Sequence, residues 1–93
     1  MNGNRYNALA GRIIKQQENV VGSLAWVEAE KVHGVTVTNG SVEIVGDGKQ
    51  VLAELVAQYE KLFGRASVEV CKDAIKPIVA ELEKDMLPEV LMS

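Results

Sequence analysis

The dipeptide Asn39-Gly40, set between the four-residue runs VTVT and SVEI, constrains this chain more than any other feature. Asn-Gly suits a two-residue type I′ turn, because both central residues must take positive φ. A two-residue loop fixes the register of its strands. Thr38 then opposes Ser41, Val37 opposes Val42, Thr36 opposes Glu43 and Val35 opposes Ile44. Side chains alternate along a strand. Val35, Val37, Val42 and Ile44 therefore share one face, and Thr36, Thr38, Ser41 and Glu43 share the other. Turn chemistry and patterning agree on a hairpin spanning Val35 to Val45. A two-stranded hairpin is marginal alone, so its apolar face must lie on helices. Its unpaired edges are open to another chain.

The rest of the sequence supplies those helices. Apolar residues from Arg5 to Val32 recur at helical spacing and predict one long amphipathic helix of about 40 Å, at 1.5 Å per residue. Its stripe comprises Tyr6, Leu9, Ala10, Ile13, Ile14, Val20, Val21, Leu24, Ala25, Val27 and Val32. Gly11 and Gly22 weaken its interior, Gly22-Ser23 marks a place to bend, and Gly34 ends it. A second helix is predicted from Gly48 to Phe63, with Asp47 as N-cap, Gln50 completing a capping-box-like pair and Gly64 as the stop. A third runs from a Ser67 N-cap to about Met86, and Pro77 should kink it or break it in two. The expected fold is α+β in the order α-β-β-α-α. Residues 1–93 form a single domain, with 1–4 and 87–93 as loose ends.

Composition narrows the function classes. The chain has 93 residues, 47% of them hydrophobic and 25% charged, which suits one folded domain. Net charge is −3 and Lys and Arg are not clustered. That argues against binding a phosphate backbone as the main purpose. The segment LVAQYEKLFGRASVEVCKDAI has a helix-turn-helix outline, yet its second helix would present Glu69, Lys72, Asp73 and Lys76, a balanced face. One cysteine cannot form an intrachain disulfide, which fits a reducing compartment. The N-terminal stretch lacks the long apolar run of a signal peptide or a membrane span, so a cytoplasmic location is expected.

No residue pattern predicts catalytic, cofactor-binding or metal-binding chemistry. Gly46-Asp47-Gly48-Lys49 falls between strand and helix, but Glu43 and Gln50 occupy positions where a phosphate loop needs Gly and Ser or Thr. One His and one Cys cannot supply a usual zinc site. His33 is read as a helix-end residue and Cys71 as a small buried hydrophobe. Glu28 and Gln17 fall inside the apolar stripe of the first helix, where burial would raise the pKa of a lone carboxyl. Trp26 falls on the polar side, beside Arg12, Lys15, Asn19 and Glu30. Tryptophan is enriched at interfaces. The expected function is a small self-associating regulatory or scaffolding module, with a homodimer favoured. Trp26, Thr36, Thr38 and Glu43 are its candidate interface residues. Two alternatives stand: a nucleic-acid-binding regulator using the last two helices, and a small ligand-binding protein or enzyme with Glu28, His33 or Cys71 in a pocket between helix and hairpin.

Overall fold

The hairpin forms as its turn chemistry requires. Strands β1 (Val35–Thr38) and β2 (Ser41–Ile44) pair antiparallel in the register Val35–Ile44, Thr36–Glu43, Val37–Val42 and Thr38–Ser41. Asn39 and Gly40 take φ of 48° and 78°. Val35 and Ile44 are buried, and Val37 and Val42 pack half-buried against the core. Thr36, Thr38, Ser41 and Glu43 are exposed.

The computed structural model describes residues 2–80 and 86–92, and four α-helices accompany the hairpin there: α1 (Asn2–Val21), α2 (Leu24–Glu30), α3 (Gly48–Phe63) and α4 (Ala66–Val79). The architecture is α+β in the order α-α-β-β-α-α. The single long N-terminal helix expected from the periodicity is therefore corrected to two. Gly22 adopts φ of +71° and its N–H donates to Glu18 C=O at 2.8 Å, a left-handed helix stop that a side-chain-bearing residue resists. The buried positions of α1 include Leu9, Ala10, Ile13, Ile14 and Gln17. After the break the buried positions are Ala25, Glu28, Ala29 and Val32, again at helical spacing but one residue out of phase. One residue is about 100° of helical rotation. The same step explains two departures from the wheel. Leu24 and Val27 are exposed rather than core, and Trp26 is half-buried against the core rather than on a solvated face. Glu28 is buried, as its place in the stripe predicts, and Val20 is exposed near the end of α1.

Helix α3 follows its sequence signals. Asp47 Oδ1 accepts from the Gln50 N–H at 3.3 Å, and Gly64 closes the other end through Glu60 C=O. Val51, Leu52, Leu55, Val56 and Tyr59 face the core. Ser67 is not the N-cap of α4. It lies one residue inside the helix, where its hydroxyl donates back to Gly64 C=O at 2.7 Å. Pro77 lies near the end of α4, which stops at Val79. The continuation expected toward Met86 crosses residues 81–85, outside the described part. The segment expected to be loose from Leu87 onward is instead packed. Met86, Leu87 and Leu91 are buried, and a 3-10 turn at Glu89–Leu91 sits on α3 and α4.

Side chain to carbonyl bonds lock α1 antiparallel to the C-terminal half. The Tyr6 hydroxyl donates to Met86 C=O at 3.0 Å, Arg12 Nε to Ala74 C=O at 2.9 Å and Gln17 Nε2 to Ser67 C=O at 2.9 Å. The buried Tyr59 hydroxyl ties α3 to α2 through Ala25 C=O at 2.7 Å. Each bond satisfies a polar group that burial would otherwise penalise.

Three glycines separate backbone from packing demands. A Cβ at Gly11 would meet only Val42 Cγ1, at an ordinary 3.6 Å, so Gly11→Ala should stabilise the fold by about 0.5–1 kcal/mol through helix propensity. At Gly22 the positive φ should make the same change cost about 1–2 kcal/mol. At Gly48 a Cβ would run into the Tyr6 ring, and the loss should be larger still. Urea unfolding of the three variants checks both sign and order.

Candidate functional site

The residues singled out for chemistry are not brought together. Glu28 is buried on α2, as its place in the apolar stripe predicts, and it meets two donors there. Lys31 Nζ lies 3.0 Å from Oε2, and Gln58 Nε2 donates to Oε1 at 2.9 Å. These hydrogen bonds, led by Lys31, outweigh burial and hold the carboxyl below its ordinary pKa. The expectation of a raised pKa at this position is therefore reversed. An ionised, doubly bonded carboxylate is a structural anchor between α2 and α3 and a poor proton donor.

Cys71 is fully buried on α4, where burial pushes its thiol up to about 11. Its Sγ accepts from Gln17 Nε2 at 3.3 Å. A thiol in that state is a weak nucleophile at neutral pH. Gln17, the other polar residue of the predicted stripe, is also fully buried, and its Oε1 is left without a protein partner. His33 is exposed and lies in a different place. It lines an open cleft of about 580 Å³ between the base of the hairpin and the start of α3, together with Asp47, Gln50 and Glu54. Cys71 does not line this cleft, so no Cys-His pair forms. Among the described residues no group of three or more His, Cys, Asp and Glu is placed to hold a metal ion.

The helix-turn-helix outline is realised as α3 and α4, but α4 neutralises its own charges. Lys72 pairs with Glu69 at 3.2 Å and Lys76 with Asp73 at 3.5 Å. That leaves little free positive charge on this helix for a phosphate backbone.

Two surface features remain. The first is an apolar strip. Glu28 meets Gln58 and Ala25 meets Tyr59, so α2 and α3 run in opposite senses along their seam. One turn along both helices from the Glu28–Gln58 bond stand Leu24 and Leu62, on the same side of that seam. They are 49% and 47% exposed; Val27, one turn from Leu24, extends the strip at 48%, and Val20, 63% exposed, lies at the end of α1 just before the break. No wheel drawn through Gly22 finds this strip, because the wheel counts three of its members as core. The second feature is a groove of about 470 Å³ between α1 and β2, with Arg12 and Lys15 on its helical wall. Of the candidate interface residues, Thr36, Thr38 and Glu43 lie exposed on the outer hairpin face, and Trp26 is half-buried on α2.

Comparison with protein-family models, curated proteins and solved structures found no match for this chain. No helix among the described residues is long and apolar enough to cross a membrane.

Two outcomes follow from the buried polar groups. Because the Glu28 carboxyl has a lower pKa folded than unfolded, the unfolded chain takes up its proton first as pH falls. Its contribution is therefore full above about pH 5 and is lost in acid. Urea midpoints measured from neutral to acid pH should fall less steeply in Glu28→Gln than in the parent. Cys71 should react with a thiol reagent at least about 100-fold more slowly in the native protein than in urea. Rapid native labelling would show that the thiol is reached without unfolding.

Proposed function

We propose that this protein is an interaction module, regulatory or scaffolding in role, that self-associates as a homodimer. The observation that carries the reading is the apolar strip of Val20, Leu24, Val27 and Leu62. Contiguous apolar surface of this kind marks interaction sites more often than scattered single residues do. Two of its members stand at i and i+3 on α2, a helix of only seven residues, so half-exposed apolar side chains dominate one side of it. A second copy is the occupant we favour. A two-fold interface brings the same patch from each subunit together, and an apolar strip is complementary to itself without any matching of charge. The Glu28–Lys31 pair beside the strip is internally neutral, so it adds no like-charge repulsion across such a contact. Trp26, on the same helix, is half-buried and packs against the core.

The outer hairpin face is the second surface considered. Thr36 stands opposite Glu43, and the whole face is polar, so burying it would add little apolar area.

Sedimentation velocity across a concentration series on the order of 1 to 100 μM distinguishes these surfaces. The parent should sediment as a dimer at the upper end. Leu24→Glu and Val27→Glu should give monomers with unchanged helical circular dichroism. A parent that stays monomeric throughout removes the proposal. Dissociation by Thr36→Lys or Thr38→Lys, with Leu24→Glu still dimeric, moves the interface to the hairpin.

A further inference from the structure

Helix α1 runs along the outer edge of β2 and treats two successive backbone N–H groups there differently. The Ile44 N–H is taken by Asn7 Oδ1, at 2.6 Å. The Val35 N–H goes to Val32 C=O, while the Val45 N–H bonds Gly34 C=O at 2.8 Å. Val35 and Ile44 are thus a pair that exchanges no ladder bonds. The alternation of an antiparallel ladder makes Val37 and Val42 the next such pair. The Val42 N–H therefore points away from β1, on the edge where Asn7 holds Ile44. One helical turn beyond Asn7, where a second capping side chain would stand, is Gly11. The space there is not needed by packing, since a Cβ on Gly11 would make only an ordinary contact with Val42.

What the missing side chain leaves is the groove between α1 and β2, lined by Ala8, Gly11, Arg12 and Lys15 on one side and by Ser41 and Val42 on the other. Its lining carries two positive charges and no carboxylate, in a chain whose net charge is −3. The ion pairs among the described residues employ Lys31, Lys72 and Lys76, and neither Arg12 nor Lys15. Arg12 is also oriented in advance. Its Nε is bound to Ala74 C=O, which fixes the guanidinium plane, and the two terminal nitrogens have no acceptor among the described residues.

We propose that this groove binds a carboxylate. The planar fork of Arg12 matches the two oxygens of a carboxylate, Lys15 adds a second positive charge, and the Val42 N–H supplies a neutral donor from the strand edge. At about 470 Å³ the groove exceeds the carboxylate itself, so the group arrives on a small organic acid or on the last residue of a peptide. The inference rests on the hairpin edge and α1, and it is independent of self-association through the strip on α2 and α3.

The test is an amide NMR titration of the full chain with sodium acetate, ionic strength being held constant with sodium chloride. The Val42 amide should shift saturably, while the Ile44 amide, already bonded to Asn7, should hardly move. Lys15→Gln and Arg12→Gln should each weaken binding about tenfold or more. Arg12 also holds α4, so a second variant guards against a folding artefact. Gly11→Asn keeps both charges but fills the groove and offers Val42 the cap that Asn7 gives Ile44. It should abolish the shift in a protein that still folds by circular dichroism. Acetyl-alanine and its amide separate the two sources. Tighter binding of the acid than of acetate, with no binding of the amide, assigns a peptide terminus, and equal binding of acid and acetate assigns a small organic acid. A Val42 shift that follows chloride as well as acetate overturns the proposal, as does undiminished binding in Gly11→Asn. Saturation by inorganic phosphate at a concentration about tenfold below acetate overturns the carboxylate class.

Discussion

The rest of the structure depends on the backbone reversal at Gly22. A single residue in the left-handed region stops α1 and restarts the chain as α2 with its inward face rotated by one position. Everything that distinguishes this molecule from a plain helix-and-hairpin sandwich comes from that rotation. It brings a half-buried tryptophan toward the core, and it turns Leu24 and Val27 out to water. The inward Glu28 is tolerated because Lys31 and Gln58 meet it, and the short α2 is held by the Tyr59 hydroxyl at Ala25 C=O. A left-handed glycine thus leaves two aliphatic side chains of α2 outside the core.

Four polar side chains tie distant parts of the chain together. Tyr6, Arg12, Gln17 and Tyr59 each reach a backbone carbonyl far along the chain, and Gln17 reaches the Cys71 sulfur as well. A carbonyl position is set by the whole helix or turn that carries it, so such a bond fixes the relative placement of two elements. The ties from α1 to Ser67, Ala74 and Met86 define its alignment with the C-terminal half at three points. Apolar packing alone would allow it to slide. Gln17 Oε1 is buried without a protein partner, at a typical cost of about 1–3 kcal/mol.

The hairpin was legible in the sequence because its determinants are local. Asn39-Gly40 dictates the turn, the turn dictates the register, and the alternation of Val35, Val37, Val42 and Ile44 with polar residues dictates the face. Helix α3 was legible for the same reason, through Asp47, Gln50 and Gly64. The phase of α2 was not. Gly22 is compatible with a mid-helix glycine or with a left-handed stop, and only tertiary packing decides between them. The strip containing Leu24 and Leu62 was hidden by that ambiguity. Leu87 and Leu91 were misjudged because a short apolar segment around Pro88 carries no periodicity of its own, and its burial is decided by its packing on α3 and α4. The cationic groove involves residues some thirty positions apart along the chain. It was out of reach of any local pattern, although Arg12 and Lys15 were visible as neighbours on a helix.

The hairpin is asymmetric in a way that bears on how far any assembly through its edges could extend. On the β2 side, Asn7 already occupies the backbone donor of Ile44, and α1 lies alongside. On the β1 side, the Val35 N–H is taken by Val32 C=O, and the outward N–H and C=O of Val37 face away from the ladder with no capping side chain among the described residues. A sheet open at both edges can add subunits without limit and grow into a fibre. One that is open at a single edge can join only edge to like edge, and that contact consumes the open edge of both partners. Growth through this sheet would therefore stop at two copies, a ceiling set by the helix that lies along β2.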